Sequence, residues 1–194
     1  MRFVLYLILA FLCLSCAYKT HSVGEYNTDG DTWDSLPYWQ PDDFPLEVYI
    51  DDNIEPSVVV DIMQAASRWN ERIGEDVFTY QLASADDIAS LTGRGYVTVV
   101  VEDFPTKFWI GFAHRKWDGA NHMKCVNITI SPKTPYNDVY FVALHEFGHA
   151  LNLGHDVDDK KSIMYPKVAS FKSPYIMRIR NDDANAVRDE LFGE

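Results

Sequence analysis

The pattern of apolar and polar positions divides the chain into extended segments and amphipathic helices. Residues 46–50 alternate apolar and polar side chains with a period of two, which predicts a half-buried strand. After Pro56 the apolar positions recur at helical spacing as far as Gly74, which predicts an amphipathic helix of about four turns. The apolar positions of this helix are Val59, Ile62, Met63, Ala66, Trp69 and Ile73.

Four further segments are rich in β-branched and aromatic residues and are separated by turn-forming residues, so each is predicted to be a strand. They span residues 77–82, 96–101, 108–113 and 125–131.

Two more helices are predicted near the end of the chain. One begins after Pro135-Tyr136-Asn137 and ends near Asn152, and the other spans about Asp182 to Phe192. The predicted order is therefore one strand, a helix, four strands and two helices. This order is typical of an α+β domain, in which helices back a twisted sheet.

The amino terminus has the pattern of a signal peptide, predicted over residues 1–17. Arg2 precedes an unbroken apolar run over residues 3–14, which is too short to span a bilayer as a mature helix. Two processing routes stay open. The small residues Ser15 and Ala17 fit a cleavage site, whereas residues 12–16 resemble a bacterial lipobox with Cys16 as the lipidated residue. Either route predicts a mature domain outside the cytoplasm, secreted or lipid-anchored to the cell envelope.

Residues 18–35 are rich in Gly, Asp, Thr, Ser and Asn, which predicts a flexible tether, followed by one catalytic domain over residues 36–194. Cys125 is then the only certain thiol of the mature chain, and its apolar surroundings favour a small buried side chain over a nucleophile. Asn127 begins a glycosylation acceptor sequence, but its position inside a predicted strand argues against its use.

The formal net charge of −12 argues against nucleic acid as a partner, because a nucleic-acid binder needs a basic surface to displace counterions. The same charge disfavours anionic lipid surfaces. Acidity of this kind is typical of a domain that stays soluble in an extracellular space.

Histidines in the second predicted helix carry the clearest chemical signal. His145 and His149 are four residues apart, so on a helix both imidazoles project from one face, one turn apart, and can share a metal ion. Zinc is the metal expected, since catalytic zinc sites combine about three protein ligands with one position for water. His155 can supply the third ligand if the chain turns back after the helix. Asn152 is suited to that turn because it tolerates left-handed backbone angles.

Glu146 lies beside the first histidine, where its carboxylate can reach a water on the metal without binding the metal itself. We expect it to act as a general base, taking a proton from a zinc-activated water, and then as an acid toward the leaving amine. The alternative reading is that these histidines are ordinary residues of a core helix. It is disfavoured because burying two histidines and a glutamate without a purpose is costly.

The eleven residues from His145 to His155 resemble the zinc-binding signature of the metzincin metallopeptidases, and the sequence Glu-Phe-Gly-His-Ala-Leu within them looks like the matrixin branch. Residues 162–166 resemble the metzincin Met-turn, in which Met164 would form an apolar floor beneath the metal. Residues 181–193 resemble the helix that closes matrixin catalytic domains. Asn152 departs from the signature, which usually has Gly at this position.

The resemblance implies a zincin-type catalytic domain with a twisted, mostly parallel five-stranded sheet, an edge strand at the cleft, two backing helices and a carboxy-terminal helix. It implies one catalytic zinc and extended peptide or protein substrates that pair with the edge strand near residues 111–114. His114 is similar to a structural-zinc ligand of matrixins, but the other ligands are not evident, so His114 and His122 are expected to be ordinary histidines. Calcium binding is left open, and a monomer is expected.

Two other functions remain open from the sequence. The first is a catalytically silent, zinc-bearing binding or adhesion module on the same scaffold, against which the intact Glu146 argues. The second is a hydrolase that uses the same zinc site on cell-wall peptides.

Overall fold

The computed structural model describes residues 20–22, 37–104, 110–135, 138–166 and 177–192, and the fold and site below are those of these residues. The predicted signal peptide and most of the predicted tether lie outside them. Strands and helices follow the order β1, β2, α1, β3, α2, β4, β5, β6, α3 and α4. The strands are Thr20–Ser22 (β1), Leu46–Asp51 (β2), Phe78–Ala83 (β3), Tyr96–Val101 (β4), Gly111–Trp117 (β5) and Met123–Ile130 (β6). The helices are Pro56–Ile73 (α1), Ala85–Ser90 (α2), Val139–Ala150 (α3) and Asn181–Phe192 (α4).

The strands form one twisted sheet in the order β1-β5-β6-β4-β2-β3. Strands β3, β2, β4 and β6 are parallel to one another, and β5 is antiparallel to β6. This confirms the predicted mostly parallel sheet. Strand β5 was expected at its edge, but β1 lies outside it. The structure adds β1, a three-residue strand that was not predicted and that pairs antiparallel with His114–Lys116 of β5.

Helices α1 and α3 pack against each other and against the sheet, and α4 packs on α1. Helix α1 begins at Pro56 and ends at Gly74, whose φ of +87° lies in the left-handed region that favours glycine. The predicted bounds of this helix are confirmed. Among the described residues, no helix is long and apolar enough to cross a membrane.

The core between sheet and helices contains the inward-facing positions of the strands and the apolar face of α1. Leu46, Val48 and Ile50 alternate inward along β2 and are fully buried, as the period of two predicts. Phe78 of β3 packs against Phe147 of α3 with ring centroids 4.9 Å apart. This contact joins the sheet to the helix that carries the predicted metal ligands.

The fourth predicted strand is displaced along the chain. Residues 108–113 were predicted, but β5 begins at Gly111 and continues to Trp117, and residues 105–109 lie outside the described residues. The polar residues His114, Arg115 and Lys116 interrupt the apolar pattern from which a strand is predicted in the sequence. Their strand conformation is set by pairing with β6, which is a long-range interaction.

Candidate metal centre

Helix α3 is apolar on nearly every side, and its residues 142–150 are all buried. It therefore holds His145, Glu146 and His149 inside the protein rather than on its surface. The ring centroids of His145 and His149 are 4.5 Å apart, as expected for imidazoles one helical turn apart.

Backbone carbonyls fix the orientation of both imidazoles. His145 Nδ1 lies 2.6 Å from the carbonyl oxygen of Ile163, and His149 Nδ1 lies 2.8 Å from that of Leu153. Because a carbonyl oxygen only accepts hydrogen bonds, each Nδ1 must carry the proton. In each neutral ring the Nε2 atom is then a lone-pair donor that can bind a metal ion.

His155 completes the group after the chain reverses beyond α3. The reversal occurs at Asn152, whose φ of +71° is left-handed, which confirms the predicted turning residue. The ring of His155 lies 4.8 Å from that of His149 and 5.4 Å from that of His145, measured between centroids. One ligand nitrogen from each of the three histidines lies within 4.8 Å of the other two. The structure thus brings together all three predicted ligands.

The arrangement fits a zinc ion chemically. The Nε2 atoms of His145 and His149 are 3.0 Å apart, and since both carry lone pairs they repel each other unless a cation lies between them. Two nitrogens bound tetrahedrally to one zinc at about 2.0 to 2.1 Å are separated by roughly 3.3 Å, close to the spacing seen here. Three neutral imidazoles are the ligand set of many catalytic zinc sites.

The protonation equilibria of the histidines also favour the metal-binding form. Burial lowers the pKa of His145 to about 4 and that of His149 well below its usual value, because the charged imidazolium is poorly solvated there. Burial lowers the pKa of His155 as well, with a smaller effect from the positive charge of Arg115. All three rings are therefore neutral at physiological pH and available as ligands.

Glu146 is buried beside the ligands and next to strand β5. Burial raises the pKa of its carboxyl to about 8, and a hydrogen bond from the backbone N–H of Ala113 opposes this by favouring the charged form. The absence of a side chain at Gly111 leaves room for the Glu146 carboxyl, because a Cβ on residue 111 would lie 2.5 Å from Glu146 Oε1. The base and strand β5 are thus in direct contact.

Met164 lies under the helix in a tight turn formed by residues 162–165. The backbone N–H of Met164 donates to Ser162 Oγ at 3.0 Å, and that of Tyr165 donates to the carbonyl oxygen of Ser162 at 3.1 Å. Met164 is 1% exposed, and a Cβ on Gly148 would lie 2.3 Å from its Sδ atom. The turn therefore packs directly against the helix between the two histidine ligands, where the predicted Met-turn was expected.

Comparison with known proteins agrees with this geometry. Residues 113–193 match the family model for matrixins, a group of M10 peptidases. The chain is 26% identical over 191 residues to metalloendoproteinase 1 of Glycine max, covering 90% of this chain and 59% of that protein. It is 39% identical over 56 residues to human matrix metalloproteinase-20, covering 29% of this chain and 11% of that protein. These matches support a metzincin metallopeptidase.

Among solved structures, archaemetzincin from Methanopyrus kandleri aligns with a TM-score of 0.49 at 13% identity, covering 75% of this chain and 93% of that chain. The chain covers little more than half the length of its soybean relative, and its match to the human protein covers a small fraction of that protein.

His114, His122 and Cys125 make contacts of their own outside the three-histidine group. His122 Nε2 lies 3.0 Å from the hydroxyl of Tyr38, and His114 stands on β5 with its ring stacked on Phe112. In the described residues, the only grouping of three or more metal-ligand side chains is His145, His149 and His155. Cys125 is a free, buried cysteine of β6, and burial raises the pKa of its thiol.

Sequence reasoning missed several residues that build the candidate metal centre. Trp69 of α1 donates its indole N–H to the carbonyl oxygen of Leu144 at 2.9 Å and packs against Gly148. Arg115 of β5 is 3% exposed and donates to Asn152 Oδ1 at 2.6 Å. The sequence contained a signal for Arg115, because it lies on the same strand face as the apolar residues Ala113 and Trp117. A charge on that face indicates a buried partner.

Proposed function

We propose that this metallopeptidase is a zinc-dependent endopeptidase that hydrolyses peptide bonds in extracellular or envelope proteins, with Glu146 as general base. The observation that carries the proposal is the orientation of the histidine pair. Two buried Nδ1–H groups are held by carbonyls, so that the Nε2 lone pairs of His145 and His149 face one another, with His155 beside them.

Zinc bound by these three nitrogens would lower the pKa of water to about 7 and polarise a substrate carbonyl. The protein contributes the movement of the proton. The ionised Glu146 carboxylate would accept a proton from water and return it to the leaving amine, which is the role required of a general base that then acts as an acid. The Ala113 N–H holds this carboxylate by a hydrogen bond, and the surrounding apolar side chains exclude other water.

Strand β5 supports extended peptides as substrates. Among the described residues, β1 pairs with His114–Lys116 of β5, and the preceding stretch Gly111–Ala113 of β5 lies beyond that pairing. A substrate segment can add there as a strand through main-chain hydrogen bonds, which recognise extended backbone rather than a particular side chain. Ala113 lies on this stretch and also contacts Glu146, so a peptide paired here would pass next to the base.

The cellular setting is proposed from the sequence. The apolar run at residues 3–14 supports export, and Cys16 supports attachment through a lipid if the lipobox is used. The net charge of −12 supports protein substrates over nucleic acid, and we propose a monomer.

The experiment is proteolysis by the purified full chain, with casein, gelatin and cell-wall peptides as substrates. Wild type is compared with Glu146→Gln, each with and without a chelator. We expect cleavage of casein or gelatin by wild type only, with loss in the variant and after chelation, while zinc content is retained in Glu146→Gln.

Zinc without cleavage of any substrate would instead support the silent binding module. Cleavage of the cell-wall peptides alone would support the second hydrolase. Cleavage that survives chelation would contradict the proposal.

A further inference from the structure

The buried guanidinium of Arg115 lies next to the metal centre, and Arg115 is not one of the metal ligands. Arg115 of β5 is 3% exposed, and its Nη1 donates to Asn152 Oδ1 at 2.6 Å in the protein interior. A buried charge is stable only when polar groups compensate for its lost hydration. The hydrogen bond to Asn152 contributes to that compensation for Arg115. The short distance is typical of a charge-assisted hydrogen bond.

The partner of this arginine occupies the turn between the second and third ligands. Asn152 has a φ of +71°, a conformation that glycine adopts at lower cost than asparagine. Backbone geometry alone would therefore favour Gly, which is the usual metzincin residue at this position. Asparagine contributes an amide oxygen that glycine lacks, and in this structure that oxygen accepts the hydrogen bond from Arg115.

The same turn determines the position of two ligands. The N–H of Asn152 donates to the His149 carbonyl and that of Leu153 to the Gly148 carbonyl, both at 3.0 Å. The Leu153 carbonyl in turn accepts the Nδ1–H of His149 at 2.8 Å. Two residues later the chain reaches His155. A shift of the turn would therefore rotate one ligand and displace another.

We propose that Arg115 is a positioning residue of the zinc site, which fixes the Asn152 turn so that His149 and His155 converge on the metal. The inference rests on the proposed zinc-dependent function and adds a role for β5. This strand positions the base through the Ala113 N–H and, two residues further along the same face, positions the ligand turn through Arg115.

The test measures zinc affinity by competition with a chromophoric chelator for wild type, Asn152→Gly, Arg115→Met and the double variant. We expect each single change to weaken zinc binding about tenfold to a hundredfold, the usual range for residues that orient metal ligands. The double variant should bind no more weakly than the weaker single variant, because both changes remove the same hydrogen bond. The Co²⁺-loaded proteins should show altered visible absorption in the variants, which reports ligand geometry directly.

Two further variants separate positioning from charge and from general stability. Lys116→Met removes the same charge from the neighbouring position of β5, which lies on the opposite face, and should leave zinc affinity unchanged. Asn152→Asp keeps an acceptor oxygen at the turn and should bind zinc nearly as tightly as wild type. Thermal unfolding in chelator shows whether each variant is folded.

A folded Asn152→Gly that binds zinc as tightly as wild type would overturn the positioning role while leaving the proposed function intact. Additive losses in the double variant would overturn it equally. A wild-type chain that binds no zinc at all would instead overturn the proposed function, and with it this inference.

Discussion

Helix α3 and the loop that follows it, residues 151–166, hold the metal ligands in different ways. The helix positions His145 and His149 by its own periodicity inside an apolar core. The loop carries His155, which is partly exposed, and the loop is held by bonds from distant elements, including Arg115 of β5 and Arg180 before α4.

This difference separates stability from metal affinity. Changes that disturb α3 remove core packing, so they should mainly lower the free energy of unfolding. Changes to the polar bonds that hold the loop remove few apolar contacts, so they should mainly loosen the zinc site while the chain stays folded. The predictions below test this separation.

The largest effect is expected for Trp69→Ala. Trp69 is fully buried against α3 and donates to the Leu144 carbonyl, so truncation leaves a cavity beneath the helix. We expect a loss of about 3–5 kcal/mol in the free energy of unfolding, measured by urea denaturation of the chelated protein. Trp69→Phe keeps a ring in place and should lose less. An alanine variant as stable as wild type would show that α3 is not held by this contact.

The second prediction concerns pH and the helix ligands. The folded-state pKa of His145 is lowered to about 4 from an ordinary 6.5, so the unfolded chain binds more protons between these values. Stability of the metal-free protein should therefore fall as pH drops from about 6.5 toward 4, by roughly 3 kcal/mol from this residue. The readout is the difference between wild type and His145→Gln in urea denaturation at each pH. Parallel pH profiles for the two proteins would contradict it.

Gly148→Ala should have a smaller effect, because the added methyl group collides with the Met164 side chain and with Trp69. We expect a loss of about 1–3 kcal/mol in stability, as for other overpacked cores, together with weaker zinc binding. Gly154→Ala is the matched control in the loop, since a Cβ there meets nothing within 4 Å. Equal effects at the two glycines would remove the proposed contrast between helix and loop.

The smallest effect on stability is expected for Arg180→Met. The Arg180 guanidinium contacts Asp156 at 2.8 Å, and the N–H of Asp156 donates to the Met164 carbonyl at 2.9 Å, so the bond fixes the loop just after His155. Because the ion pair is partly exposed, its removal should change the unfolding midpoint little. Zinc affinity, measured by chelator competition, should fall by roughly tenfold. A large fall in thermal stability at unchanged zinc affinity would reverse the expected order.

The contrast between helix and loop also explains what could be predicted from the sequence. Helix α3 and its ligands follow from local spacing, and Asn152 was identified as the turn because its backbone preference is local. The Ile163 and Leu153 carbonyls that orient the imidazoles could not be identified, because every residue has a carbonyl. Their role depends on how the chain folds back.

The same reason applies to the fold. The bounds of α1 and β4 follow from short-range pattern, whereas the extent of β5 depends on its partner strand and was predicted too early in the chain. The short helix α2, with Ser84 as its N-cap, was missed because six residues contain too little periodicity to recognise.

X-ray absorption at the zinc edge of the zinc-loaded chain tests the three-histidine site most directly. We expect one tightly bound zinc with about three imidazole nitrogens at roughly 2.0–2.1 Å and one further light-atom ligand. His155→Ala should lose one imidazole from that shell. A wild-type spectrum with two imidazoles or fewer, or one unchanged by His155→Ala, would contradict the three-histidine site.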